Sequence, residues 1–207
     1  MAKLYFRYGA MNSGKSTQLL QTAHNYEEQD MKVAIMKPLI DTKGNDMIVS
    51  RIGAERKVDV TLGPEDDVFD IVVNEYSDVS CVLIDEAQFL TPKQVDNCME
   101  VVLALDIPVI CYGLRTDFLT NGFPGASRLL EIAHTIEENK TICKCGRKAI
   151  FNARYVDDQF VVEGDQVAID NQSEVKYVSM CGKCYEEEYK KALEKKDEKV
   201  KVLKRFK

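Results

Sequence analysis

Tryptophan is absent from this 207-residue chain, histidine occurs twice, and only 5 prolines and 11 glycines interrupt it. So few chain breakers, beside 45% hydrophobic and 30% charged residues, exclude a collagen-like or low-complexity polymer and argue for a folded core. The length allows one generous domain, or one domain with a small satellite, but not two full-size domains. Long apolar runs are lacking. Nothing approaches the ~18 consecutive apolar residues of a bilayer span. The opening MAKLYFRYGAMNSGK has neither the apolar segment nor the small-residue cleavage site of a secretory leader. Net positive charge is lacking too. At −6 the summed field favours neither nucleic acid nor anionic lipid, so neither polyanion nor membrane is an expected partner and any phosphate site is local. Seven cysteines without an export signal belong in a reducing, cytoplasmic setting, as buried thiols or metal ligands rather than disulfides.

Up to about residue 136, short apolar runs alternate with amphipathic stretches, the rhythm of an α/β sheet. Leu4–Tyr8 reads as a strand, and Ser16–Gln29 as a helix with Leu19, Leu20, Ala23 and Tyr26 on one face. Val33–Met36, stopped by Pro38, and Cys81–Ile84 are apolar at every position, as buried parallel strands are. Thr91 is an N-cap and Pro92 the first turn of a helix bearing Val95, Cys98, Val102 and Leu105, followed by a strand at Ile107–Tyr112 and a helix ending near His134. Beyond that come short strand-like runs at Ala149–Val156, Phe160–Val162 and Val175–Ser179, in a segment too small for a large core of its own. From Tyr185 the chain is charged and helix-prone, a solvated terminal helix. The expected division is residues 1–138, a phosphate-binding domain; 139–190, a cysteine-bearing domain; and 191–207, a charged tail.

Gly9-Ala10-Met11-Asn12-Ser13-Gly14-Lys15-Ser16 fits G-x-x-x-x-G-K-[ST] between a predicted strand and a predicted helix. Inward N–H groups, the helix N-terminus and the Lys15 ammonium suit the β- and γ-phosphates of a nucleotide such as ATP, and the Ser16 hydroxyl suits Mg2+. Asp85-Glu86 terminates a buried strand. Asp85 would hold the magnesium hydration shell, while Glu86, pointing differently, would accept a proton from a hydroxyl or a water. Cys143-x-Cys145 and Cys181-x2-Cys184 supply four thiolates for a closed, structural Zn2+ site. Cys81, Cys98 and Cys111 sit on apolar positions and read as core.

Taken in order with Asp85-Glu86-Ala87-Gln88-Phe89, Tyr112-Gly113-Leu114-Arg115-Thr116-Asp117-Phe118 and Tyr177-x3-Cys181, these motifs resemble the type II thymidine kinases in their bacterial form, from Leu4 to about Tyr185. The resemblance implies a RecA-like P-loop sheet with a small zinc-binding lasso domain, a homotetramer, feedback inhibition by dTTP, and transfer of the ATP γ-phosphate to the 5′-hydroxyl of thymidine. It implies that residues 9–16 and 85–88 bind ATP, that Glu86 is the catalytic base, and that Phe89, Leu114, Phe118, Phe123 and Tyr177 surround the nucleoside. It further implies that Ala168, Ile169, Asp170, Asn171 and Gln172 read the polar edge of the base through their backbone, and that Arg154 lies near the phosphates.

Two positions depart from the family pattern. The first cysteine pair is C-x-C where C-x2-C is common, and Asp41-Thr42-Lys43 stands where Asp-Thr-Arg is common, exchanging a guanidinium for a point charge. Two rival readings are a P-loop ATPase in which Glu86 orients water beside a structural zinc module, and a zinc-ribbon module for nucleic acid, against which the acidic charge and the intact Lys15 and Ser16 both weigh.

Overall fold

Strands apolar at every position belong in the middle of a sheet covered on both faces, and that is where these residues lie. The computed structural model describes residues 1–40, 46–166 and 174–205, with side chains as far as residue 196. The reading of Asp41-Thr42-Lys43 and of Ala168–Gln172 falls outside the described residues. The chain divides into two units: Met1–Arg115 with Gly122–Asn139, and Thr116–Asn121 with the described chain from Lys140 on. Thr116–Asn121, from the middle of the expected 1–138 segment, thus belongs with the second unit.

The first unit runs β1 (Leu4–Tyr8), α1 (Lys15–Glu27), β2 (Val33–Pro38), β3 (Met47–Val49), β4 (Glu55–Lys57), β5 (Val60–Leu62), α2 (Val68–Glu75), β6 (Cys81–Ile84), a 3-10 turn (Ala87–Phe89), α3 (Pro92–Leu105), β7 (Val109–Gly113), α4 (Pro124–Ile132) and β8 (Thr135–Glu138). Six strands make one parallel sheet in the order β5-β2-β6-β7-β1-β8. Alternate residues of its central strands face opposite cores. Ala34, Met36, Val82, Ile84, Val109 and Cys111 pack with α2, α3 and α4 through Val72, Val95, Cys98 and Leu129. Val33, Ile35, Cys81, Leu83, Ile110 and Tyr112 pack with Leu19 and Ala23 of α1 and with Ile48 and Val58 from either side of the β3–β4 hairpin. Cys81, Cys98 and Cys111 are wholly buried, as expected of core thiols.

Local chemistry sets the element ends. Gly14 takes φ +78 at the head of α1, a left-handed conformation that favours glycine. Thr91 closes a capping box on α3: its Oγ accepts from the Gln94 N–H at 3.2 Å and its own N–H donates to Gln94 Oε1 at 3.0 Å. Asp67 caps α2 with its side chain alone, accepting from the Phe69 and Asp70 N–H groups. The hairpin, α2 and β8 lie in stretches for which the sequence reading named no element, and β7 begins at Val109 rather than Ile107.

The second unit holds two small antiparallel sheets, β9 (Thr141–Ile142) with β10 (Lys148–Ala149), and β12 (Gln159–Phe160), β11 (Phe151–Val156) and β13 (Val175–Met180) with β11 central. Helix α5 (Gly182–Arg205) follows and runs without interruption across residues 190 and 191. Its Tyr185 packs on Phe151 and Phe160, a modest core of Ala149, Ala153, Met180 and these rings. Among the described residues no helix is long and apolar enough to cross a membrane.

Candidate active site

In a parallel sheet, the chain leaves neighbouring strands on the same edge, so residues following β1, β6 and β7 meet there however far apart they are in sequence. Gly9 follows β1, Asp85 follows β6 and Leu114 follows β7. The Gly9 N–H donates to the Gly113 carbonyl at 3.2 Å, which ties the phosphate loop to β7. Ser16 Oγ, in the first turn of α1, lies 3.1 Å from Asp85 Oδ2 and donates to it. Lys15 is buried, its Nζ donating to the Gly9 and Ala10 carbonyls at 3.3 and 3.1 Å.

Asp85 is 5% exposed. Burial first, and the adjacent Glu86 carboxylate second, push its carboxyl up to about 7, against the pull of the Glu86 N–H, the Ser16 hydroxyl and Lys15. Seating a cation there would offset the cost of that buried negative charge. A hydroxyl and a carboxylate oxygen 3.1 Å apart are close to the edge of an octahedron with ~2.1 Å metal–oxygen bonds, about 3 Å.

Glu86 has φ +49 and ψ +36, a left-handed backbone that a residue with a side chain adopts only under constraint. The constraint comes from both sides. Its N–H donates to Asp85 Oδ1 at 3.0 Å, and its carbonyl accepts from the Phe89 N–H at 3.0 Å. Its carboxylate accepts from Gln88 Nε2 at 2.6 Å, and Gln88 Oε1 in turn accepts the Leu114 N–H at 2.9 Å. Gln88 is 1% exposed, so this relay from β7 fixes where the Glu86 carboxylate points.

The cavity over the loop, about 250 Å3, is lined by residues 11–17, Glu86 and Leu114, and also by Val49–Ile52 from the β3–β4 turn. Those last residues are a part of the site that sequence reasoning missed, because two three-residue strands carry little periodic signal. A larger groove of about 650 Å3 lies in the second unit between the β11–β12 hairpin and α5.

The residues ascribed to the nucleoside fall in both units. Phe89 and Phe123 meet edge to face at 5.5 Å, and Leu114 is buried, all in the first. In the second, Phe118 is buried, and its carbonyl accepts from the Tyr185 hydroxyl at 2.6 Å. Arg154 lies opposite Tyr177 in the β11–β13 register, with its guanidinium 3.5 Å from the Phe118 ring centroid. It donates to the Asp165 carbonyl at 2.8 Å and the Glu163 carbonyl at 3.4 Å. Asp117, quoted above only as part of its motif, is buried and accepts from the Leu119 and Asn121 N–H groups and from Gln166 Nε2.

The four cysteines of the two pairs bring their sulfurs within 4.8 Å of one another, the C-x-C spacing notwithstanding. Tetrahedral zinc with ~2.3 Å Zn–S bonds sets sulfurs about 3.8 Å apart, so the set fits zinc with no position left open. The thiol chemistry agrees. The Cys184 N–H lowers Cys181 to about 6, while the neighbouring Cys145 and Cys181 sulfurs raise Cys184 to about 12, as expected where crowded sulfurs cannot all be thiolates without a cation.

A family model described as Thymidine kinase matches residues 2–185. The chain belongs to the thymidine kinase family. It is 49% identical to the thymidine kinase of Chromobacterium violaceum over 187 residues, 89% of this chain and 98% of that protein. It is 44% identical to the thymidine kinase of Francisella tularensis subsp. holarctica over 194 residues, 90% and 98% respectively. The thymidine kinase of Enterobacteria phage T4 is 43% identical over 195 residues, 92% of this chain and 99% of the phage protein. The motif resemblance and the α/β fold class are thus borne out.

Proposed function

We infer that the protein is an ATP-dependent thymidine kinase that moves the γ-phosphate of ATP to the 5′-hydroxyl of thymidine, giving dTMP. Within a thymidine kinase family chain, the observation that carries this reading is the Glu86 carboxylate, held by Gln88 in the lining of the cavity that the phosphate loop also lines. The N–H groups of Gly9–Ser16 and the Lys15 ammonium hold the triphosphate. Ser16 and Asp85 hold Mg2+, and residues 85–88 complete the ATP site. When bound, the magnesium ion neutralises charge shared by the β- and γ-phosphates. Glu86 takes the 5′-hydroxyl proton as that oxygen bonds to the γ-phosphorus. The bond to the β,γ-bridging oxygen breaks, and ADP keeps its electron pair. Phe89, Leu114, Phe118, Phe123 and Tyr177 suit a thymine ring and its methyl group.

The remaining assignments rest on the resemblance and on chemistry. Cys143, Cys145, Cys181 and Cys184 hold a structural zinc whose removal loosens the second unit. Residues 1–138 form the ATP-binding domain and residues 139–190 the zinc-holding, nucleoside-binding domain, and the enzyme works in the cytoplasm as a homotetramer inhibited by dTTP.

Two measurements test this reading. ATP consumption is expected to accelerate with thymidine and not with deoxycytidine, deoxyadenosine or no acceptor. Glu86→Gln is expected to lower kcat by about 10²–10⁴, the scale of a lost proton acceptor, while ATP still binds; near-normal turnover would remove Glu86 from the role of base.

A further inference from the structure

Seven of the chain's arginines have described side chains, and six are already engaged. Arg7 bonds Glu137 and Tyr112, and Arg56 forks onto Glu27. Arg115 lies over the Tyr8 ring, Arg128 bonds Asp96 and Glu131, and Arg147 is drawn electrostatically to the sulfurs of Cys181 and Cys145. Arg154 is spent on the Phe118 ring and two carbonyls. The seventh, Arg51, is exposed, makes no hydrogen bond, ion pair or ring contact among the described residues, and lines the cavity over the phosphate loop. Beside Lys15 and Glu86 it is the third charged side chain of that lining, and Lys15 is turned onto its own loop carbonyls.

Resting on the reading of Gly9–Ser16 as the ATP site, we propose that Arg51 is a phosphate-facing catalytic residue that neutralises charge on the phosphoryl group during its transfer from ATP to the acceptor hydroxyl.

The mounting of Arg51 supports that role. Its turn is closed by the Ser50 N–H donating to the Ala54 carbonyl at 2.8 Å and by the Ala54 N–H donating to Ser50 Oγ at 3.0 Å, with Ser50 buried. Ile48 and Val58, on the two arms, pack beside Leu19 and Ala23 of α1. Arg56 in β4 pairs bidentately with Glu27 at the end of α1, at 2.8 and 2.7 Å. Helix α1 begins at Lys15, so the phosphate loop and the hairpin that carries Arg51 are fastened to one helix, while the guanidinium itself stays free. The charge ledger points the same way. In phosphoryl transfer, negative charge spreads over the three equatorial oxygens as the bond to the bridging oxygen breaks, and a planar guanidinium meets two such oxygens where an ammonium meets one. An arginine with no protein partner also loses no existing contact by engaging them.

The test compares wild type, Arg51→Ala and Arg51→Lys in kcat and KM for ATP at saturating thymidine, in affinity for a non-hydrolysable ATP analogue, and in thermal stability. Removing one positioned donor to charge that develops in the transition state costs about 10²–10³ in kcat, and that is the scale expected of Arg51. Arg51→Ala should lose that much, with analogue affinity within about threefold and an unchanged melting temperature, because Arg51 has no partner to lose. Arg51→Lys should recover only a small part, since it restores the charge without the fork. A kcat within about threefold of wild type overturns the proposal. So does a loss of analogue affinity as large as the loss in kcat/KM, which would make Arg51 a ground-state binding residue only. The underlying reading has its own control: wild type should bind the analogue and Lys15→Ala should bind it weakly. If wild type binds no analogue, the ATP reading falls; if it binds and turns over while Arg51→Ala is normal, only the role of Arg51 falls.

Discussion

Gly125→Ala separates two forces of opposite sign. Gly125 is the second residue of α4, after Pro124, and is buried. Helix propensity alone favours alanine there by at most about 1 kcal/mol. A Cβ at this position, however, would sit 2.5 Å from the Leu90 carbonyl oxygen, 2.8 Å from that of Ala87 and 3.0 Å from that of Gln88. These are backbone atoms of the turn that holds Glu86, and unlike the tip of a lysine they cannot swing aside. Relieving such overpacking costs typically 1–3 kcal/mol, so the variant is expected to be less stable by about 1–2 kcal/mol. At ~2–4 °C per kcal/mol for a chain of this size, the melting temperature should fall by about 2–8 °C. The same displacement moves the Gln88 relay, so kcat should fall by at least about tenfold at temperatures where the variant is still folded, the cost scale of misplacing a catalytic group by a fraction of an ångström. KM for ATP should hold, because the phosphate loop hangs from β1 and α1. Scanning calorimetry and steady-state kinetics on the same preparations decide the matter. A melting temperature equal to or above wild type would refute the steric argument, and a stability loss with unchanged kcat would refute the coupling to Glu86.

Two further outcomes follow from caps and sulfurs. Thr91→Ala should cost about 0.5–2 kcal/mol in denaturant unfolding, and Gln94→Ala should cost more. Gln94 not only completes the capping box but also donates to the Gly63 and Asp66 carbonyls at 2.7 and 3.2 Å; equal losses would show that those bonds contribute nothing. Wild type should carry one zinc per chain by elemental analysis, and Cys181→Ser or prolonged chelation should remove it, with faster amide exchange in β9, β10 and the first turn of α5. Unaltered exchange after complete metal loss would contradict a structural role.

What could be read in the sequence was what is local or repetitive. The phosphate loop is eight consecutive residues, β2 and β6 are apolar on both faces because both faces are covered, and the cysteine pairs carry their spacing on the surface of the text. Strand β8 escaped notice because Thr-Ile-Glu-Glu, at the sheet's edge, shows no apolar run, and β3 and β4 are three residues each. The site was legible as residues but not as geometry. Glu86 was identifiable from the strand end, yet neither its left-handed backbone nor its tie through Gln88 to Leu114, 26 residues beyond Gln88, shows in the sequence. Arg154 was found by position, whereas its ring stack and carbonyl bonds come from a fold that sequence spacing does not encode. Arg51 offered no motif at all; only the cavity singles it out.

The strand order has a consequence for the birth of the protein. Strand β1 is the first element made, but its neighbours are β7 and β8, so Leu4 waits for Val109 and Tyr5 for Thr135. A chain emerging from the ribosome therefore exposes its complete nucleotide-binding motif for more than a hundred residues before anything exists to pair with the strand that carries it, a demand for late, long-range closure that slows folding and invites chaperones. Fragments ending before Glu138 should fail to bind nucleotide even though they contain every residue of the phosphate loop.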